Sequence, residues 1–300
     1  MIVTPVLHTA DPLADVYGES ERYNLAPWEI EFGERVDALF WEFFDKSEDP
    51  DAWNRRWVIS RDIDWQAVTN ERLDENLTSL LETFYAVESY LPDFAGKGLT
   101  FYRRLLGLAH NHINWSYEEL KHSRALELVM LRSGARTRKQ VLDFSRSVWR
   151  EVWMSPFNTP RRMIAYAAIQ EKATHRNYEQ LRSVALQQGA TGAAGAIRLI
   201  SKDEAFHHAF YRDVMKLYLE YDEVNTARDL LYVATHFQMP AQHLLPDSVS
   251  RIRSLARNRI VSKRSMRDES IIPTIKSIGF RDLDELASLA GAVEEEAGAA

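Results

Sequence analysis

Glu88, then Glu119-x-x-His122, then Glu171, then Glu204-x-x-His207: four carboxylate-bearing stretches recur in this order along the chain. A Glu-x-x-His step on a helix sets both side chains on one face, because residues three apart are neighbours there. Two such helices facing two more that each bring one Glu would gather four carboxylates and two imidazoles at a bundle centre. That is a ligand set for two metal ions. The spacing alone is a weak signal, since 25 Glu and 9 His in 300 residues give roughly 0.75 such pairs by chance. The surroundings add the weight. Glu88 closes the apolar run Phe84-Tyr-Ala-Val-Glu88, and Glu171 closes Ile164-Ala-Tyr-Ala-Ala-Ile-Gln-Glu171. A carboxylate in such company is costly unless paired or metal-bound. Imidazole with carboxylate suits iron or manganese better than calcium, which prefers all-oxygen sites.

The periodicity around these motifs is helical throughout. A helix is expected over Glu31–Lys46. Ser47–Thr69, rich in aromatic and charged residues, reads as loop with short elements. Glu71–Tyr90 carries the stripe Leu73, Leu77, Leu80, Leu81, Phe84 and Val87, and Leu91-Pro92 should end or kink it. Long helices are then expected over Leu99–Leu131, Thr137–Trp153, Pro160–Gln188 and Thr191–Glu220. Shorter ones should follow over Asn225–Gln238 and Ser248–Val261. No strand alternation or Asn-Gly hairpin signal stands out. The expected class is therefore all-α, one helical domain over residues 1–300. It has an irregular lead-in over about 1–30, a metal-bearing core over about 71–245 and a weakly ordered tail over about 265–300.

Composition narrows the function. With no cysteine, disulfides, thiolate zinc sites and cysteine-ligated iron–sulfur clusters are excluded. A net charge of −7 argues against a nucleic-acid partner, which would need an excess of Lys and Arg. No apolar run is long enough for a membrane span, and nothing at the N-terminus resembles a signal peptide. The expectation is a cytoplasmic protein. The glycines at 189, 192 and 195 do not form a dinucleotide fingerprint after a strand. With no redox group of its own, the chain would need electrons from a separate donor. Arg251–Arg267 carries seven basic residues and no acid, either a docking patch for an acidic partner or a solvated helix face.

Several motifs resemble those of the soluble acyl-acyl-carrier-protein desaturases of plants and actinobacteria. Trp115-Ser-Tyr-Glu-Glu-Leu-Lys-His122 is similar to that family's Trp-x-x-Glu-Glu-Asn-Arg-His. Gln170-Glu-Lys-Ala-Thr174 is similar to Gln-Glu-Arg-Ala-Thr, and Asp203-Glu-Ala-Phe-His207 to Asp-Glu-Lys-Arg-His. Glu88 stands four residues before Pro92 like the family's Glu before Leu-Pro, and Met239-Pro-Ala241 matches a later segment. The likeness spans about residues 80–245. It leaves the first 70 residues and the chain beyond about Val261 unmatched.

This resemblance implies a ferritin-like four-helix di-iron bundle with flanking helices. Its metal ligands would be Glu88, Glu119, His122, Glu171, Glu204 and His207. It places Asp203 beside a ligand imidazole, on a route for electrons, and Thr174 on the ligand face of its helix, where its hydroxyl either meets a metal-bound group or bonds back to a carbonyl. Trp53, Trp57 and Trp65 are the candidates for a tryptophan near the metals. The activity implied is an oxygen-dependent desaturase holding two Fe ions, with manganese as an alternative occupant. It would introduce a cis double bond into a fatty-acyl chain on acyl carrier protein, fed by an electron donor such as ferredoxin with its reductase, and it would be a homodimer. A di-iron hydroxylase or N-oxygenase is the alternative, and a non-catalytic metal-binding bundle ranks behind it.

Overall fold

The computed structural model describes residues 26–297, and no strand occurs among them. The first helix described, α1 (Pro27–Glu48), starts with proline at a position that has no hydrogen bond to lose. Two short helical turns, Ile59–Asp62 and Trp65–Asn70, occupy the stretch expected to be mostly loop. Then come α2 (Glu75–Glu88), α3 (Leu91–Tyr102), α4 (Leu106–Arg132), α5 (Arg138–Val148), α6 (Pro160–Gln187) and α7 (Thr191–Tyr221). The termini follow their sequence signals. Asp74 caps α2 through Leu77 N–H, Thr137 and Gln140 form a capping box on α5, and Thr159 caps α6 just ahead of Pro160.

Helices α2, α4, α6 and α7 form the central bundle, with α6 and α7 packed along most of their length. At 27, 28 and 31 residues, α4, α6 and α7 each run about 40 Å or more. Two apolar clusters fill the interior. One is built on Trp115, Ile164, Ile169, Phe210 and Val214, the other on Leu80, Leu81, Leu126, Met130, Leu181 and Ile197. The motif residues lie between them. Helix α1 packs along α4 and α7. Its crossing with α4 depends on Gly107, where a Cβ would come within 2.5 Å of the Asp37 backbone.

Three expectations need correction. The helix expected over Leu99–Leu131 is two helices. Leu105 takes an extended backbone (φ −120°, ψ 99°) as the cap of α4, and α3 folds back along α4. Helix α5 ends at Val148 rather than Trp153: the Trp153 N–H goes to Asp93 Oδ2 at 2.8 Å and its indole packs edge-on against Phe94. The tail expected to be weakly ordered is helical as far as residue 297. Helix α8 (Glu223–His236) and α9 (Ser248–Arg257) are followed by helical turns from Lys263 to Ile278 and by α10 (Leu283–Ala297), which packs on α8. Ile271, Ile275, Ile278, Phe280, Leu286 and Ala290 join the main apolar cluster. A π-helical turn over Met266–Ile271 breaks the 3.6 period there, which hides the stripe from a periodicity reading. The lead-in up to residue 25 lies outside the described residues.

Candidate metal centre

Helix α2 brings Glu88, α4 brings Glu119 and His122, α6 brings Glu171, and α7 brings Glu204 and His207, all buried. Their ligand atoms fall into two groups. Glu88, Glu119, His122 and Glu204 form one; Glu119, Glu171, Glu204 and His207 form the other. Within each group the atoms lie no more than 4.8 Å apart, and Glu119 and Glu204 belong to both. In each double-acid motif it is the second acid that joins the cluster, as the 100° step per residue requires.

Both imidazoles turn the same nitrogen inward. His122 Nδ1 is 3.3 Å from Glu119 and 3.2 Å from Glu204. His207 Nδ1 is 3.2 Å from Glu119 and 3.4 Å from Glu171. The outer nitrogens meet the first acid of the opposite motif. His122 Nε2 lies 3.2 Å from Asp203 Oδ2, and His207 Nε2 lies 2.7 Å from Glu118 Oε2. A carboxylate accepts only, so each Nε2 donates to its outer acid, and each Nδ1, which also faces carboxylates, gives up its proton when a cation takes its lone pair.

Arg55 ties these two acids together, donating to Glu118 Oε1 at 2.5 Å and to Asp203 Oδ1 at 3.0 Å. Arg56 adds a second contact to Glu118. Trp57 Nε1 donates to Asp203 Oδ2 at 2.7 Å, and its ring lies parallel to His122 with centroids 6.5 Å apart. Of the three candidate tryptophans, Trp57 is the one beside the cluster. Tyr178 donates to Glu88, and Trp115 Nε1 donates to Glu171 Oε1 at 3.0 Å. Arg55, Arg56 and Tyr178 were not anticipated. Tyr178 had a signal, standing seven residues after Glu171 on the same helix face; the two arginines had none. Thr174 lies on α6 one turn beyond Glu171, and its hydroxyl donates back to the Gln170 carbonyl at 3.0 Å.

Burial and like charge push Glu88 and Glu171 well above the usual carboxylate range. Burial also works against charge on Glu119, but His122 and His207 outweigh it and hold that carboxyl low. It disfavours the charged imidazoles as well, yet Glu119 and Asp203 raise His122, and Glu119, Glu171 and Glu204 raise His207. Glu119 Oε1, Glu171 Oε2, Glu204 Oε1 and His207 Nδ1 are buried without a hydrogen-bond partner. Unpartnered polar atoms converging on one point, with carboxylate charge matching two divalent cations, fit a pair of metal ions.

Two cavities of about 30 Å³ each flank the cluster. One touches Glu88 and is lined by Thr83, Val87, Thr174, Asn177 and Leu255. The other touches Glu171 and is lined largely by aromatic rings. Among the described residues no helix is long and apolar enough to cross a membrane.

The family model described as fatty acid desaturase matches residues 106–264, just over half of the chain. The comparison with curated proteins found no match. Among solved structures, the fold is similar to the X-ray structure of the candidate acyl-ACP desaturase DesA2 from Mycobacterium tuberculosis H37Rv. The TM-score is 0.61 and the identity 18%, over 88% of this chain and 99% of that one. With its all-helical bundle and its buried carboxylate–histidine clusters, the chain belongs to the fatty acid desaturase family of the acyl-ACP type.

Proposed function

We propose that this chain is an oxygen-dependent di-iron desaturase that introduces a cis double bond into a fatty-acyl chain tethered to acyl carrier protein. The observation that carries the reading is the pair of ligand groups sharing Glu119 and Glu204. Glu88 and His122 complete one group, and Glu171 and His207 the other. Bound there, two iron ions supply the activation of dioxygen that removal of hydrogen from an unactivated chain requires.

The protein's own contribution is positional. Glu118 and Asp203 fix the imidazoles with Nδ1 inward. The apolar clusters above and below exclude water. The acyl chain would run past the ligands from the cavity at Glu88 to the cavity at Glu171, widening both, since each is about the size of one water. Asp203, bonded to both Trp57 and His122, is the point where electrons from an external ferredoxin-type donor enter. Thr174, in the cavity wall beside Glu88, would release its bond to Gln170 and turn its hydroxyl toward the cluster.

Iron-reconstituted protein, given reduced ferredoxin and an acyl-carrier thioester, should hold two irons per chain and yield a product two hydrogens lighter. A product one oxygen heavier would make it a hydroxylase. Iron oxidation without substrate turnover would make it a metal-handling bundle. Thr174→Val should leave iron content unchanged and lower turnover severalfold; equal turnover would leave Thr174 with its Gln170 bond as its whole role.

A further inference from the structure

The cavity on the Glu171 side, whose wall also includes Gln170 and Tyr211, contains a buried unpartnered acceptor that a channel for a plain alkyl chain has no use for. His112, on α4, is 4% exposed and lines this cavity together with Phe94, Trp115, Trp153 and Tyr166. Its Nε2 lies 3.1 Å from the carbonyl oxygen of Ala95. A carbonyl has no hydrogen to give, so Nε2 carries the proton and Nδ1 presents a lone pair. Nδ1 is buried and has no hydrogen-bond partner. Burial, outweighing backbone bonds to Ala95 and Phe94, lowers the imidazole's pKa to about 4, which keeps the ring neutral at physiological pH.

The ring is held in place rather than loosely accommodated. It stacks on Trp115, with centroids 5.0 Å apart and planes 15° apart, and Trp115 is itself anchored to Glu171. Tyr102 meets its edge at 5.3 Å. On the far side α3 presents Gly98, where a Cβ would come within 2.2 Å of Nε2. A phenylalanine would fill this space without leaving a buried acceptor unsatisfied. An orphaned acceptor is expensive in a dry site, and a ligand donor removes that cost.

We infer that the substrate chain carries a hydrogen-bond donor, a hydroxyl group, in the segment occupying the Glu171-side cavity, and that His112 Nδ1 accepts from it. This rests on the acyl-chain reading above and narrows it from plain fatty-acyl chains to hydroxylated ones. Sites built around a buried polar group reject the analogue lacking its partner far more strongly than apolar pockets reject an extra group. His112 is therefore a specificity-determining residue. It touches the chain but not the carbons that react.

The test uses the full chain with both irons loaded. The probes are hexadecanoyl-carrier thioester and a series of its monohydroxylated analogues, with the hydroxyl moved stepwise along the distal half. Binding is read from quenching of tryptophan fluorescence, independently of turnover. One hydroxyl position should bind about tenfold tighter than the unsubstituted chain. His112→Phe should abolish that preference with two irons per chain retained. Gly98→Ala, which displaces the ring and keeps the histidine, should abolish it too. Equal binding of every analogue by the unmutated protein would overturn the inference; this is also what a water bound at Nδ1 and displaced by any chain would produce. A preference that survives in a folded His112→Phe would overturn it equally. If no acyl thioester binds although both irons load, the acyl reading itself has failed and this inference with it.

Discussion

Glu119 and Glu204 are not equivalent to the other four residues of the cluster, because each belongs to both ligand groups. Glu119→Ala or Glu204→Ala should lower iron content toward zero per chain, whereas His122→Ala or His207→Ala should leave about one, as measured by elemental analysis after reconstitution. Full iron in any of these variants would remove that residue from the ligand set. His112 makes a prediction about stability. Its folded pKa of about 4 lies below the ordinary 6.5 because burial disfavours the charged ring. Between those values the unfolded chain binds a proton that the folded chain refuses, so stability is complete above pH 6.5 and is lost as pH falls toward 4. The full effect is about 3 kcal/mol. His112→Phe, compared with the unmutated protein in the same metal state, should show a shallower fall of Tm across this window; parallel curves would mean the ring is protonated when folded. The convergence of the six cluster residues was legible in the sequence, since a three-residue step on a helix needs only the helix to fix its geometry. Arg55 was not legible. It reaches Asp203 from 148 positions away, and no local period encodes a contact at that range.

At the scale of elements, the stretch between α1 and α2 does what a flanking loop seldom does. It inserts Arg55 between α4 and α7 and closes the outer side of both imidazoles. Asn54 precedes it in the left-handed region (φ 42°), which asparagine tolerates better than most residues, and this bend aims the next residue inward. Arg55→Met removes one partner of each of two buried carboxylates while roughly keeping the volume; Glu118 keeps Arg56 and His207, and Asp203 keeps Trp57 and His122. The expected cost is about 1–3 kcal/mol, that of losing charge-assisted hydrogen bonds whose acceptors keep other partners. Iron affinity should also weaken roughly 10–100-fold, as orientation of the imidazoles is lost. Chemical denaturation and iron titration of the same variant check both effects; unchanged stability would mean that water replaces the guanidinium. Helix starts were legible at Thr137 and Pro160, where capping chemistry marks them, but the start of α2 was set at Glu71, ahead of the Asp74 cap that begins the helix at Glu75. Boundaries were also misplaced where tertiary contact alone ends the helix, as at Leu105 and Val148. The tail failed for a third reason, since the π-helical turn shifts the apolar register midway.

Over the whole molecule the net charge is negative, yet basic side chains gather where α9 and the following turn cover the Glu88-side cavity through Leu255 and Val261. Seven basic residues were candidates for docking an acidic carrier protein, and the structure divides them. Arg251 is committed to the fold. It donates to the Pro246 carbonyl and to Thr83, approaches Glu82 at 3.5 Å and covers the ring of Phe144. Arg253, Arg257, Arg259, Lys263, Arg264 and Arg267 are exposed. Arg251→Glu should therefore act on stability, lowering Tm through the loss of these contacts and the repulsion from Glu82. Arg253→Glu combined with Arg257→Glu should leave Tm nearly unchanged. It should instead raise KM for acyl-carrier substrate several-fold with little change in kcat, the pattern left when uniform binding is lost. Because exposed charges are screened beyond about 8–10 Å at 0.1–0.15 M salt, the gap between the double variant and the unmutated protein should narrow as salt is raised. A KM unaffected at low salt would move the docking face elsewhere on the surface. A gap independent of salt would mean that the arginines act through shape rather than charge. Neither result would touch the buried centre, whose iron content is measured without a carrier.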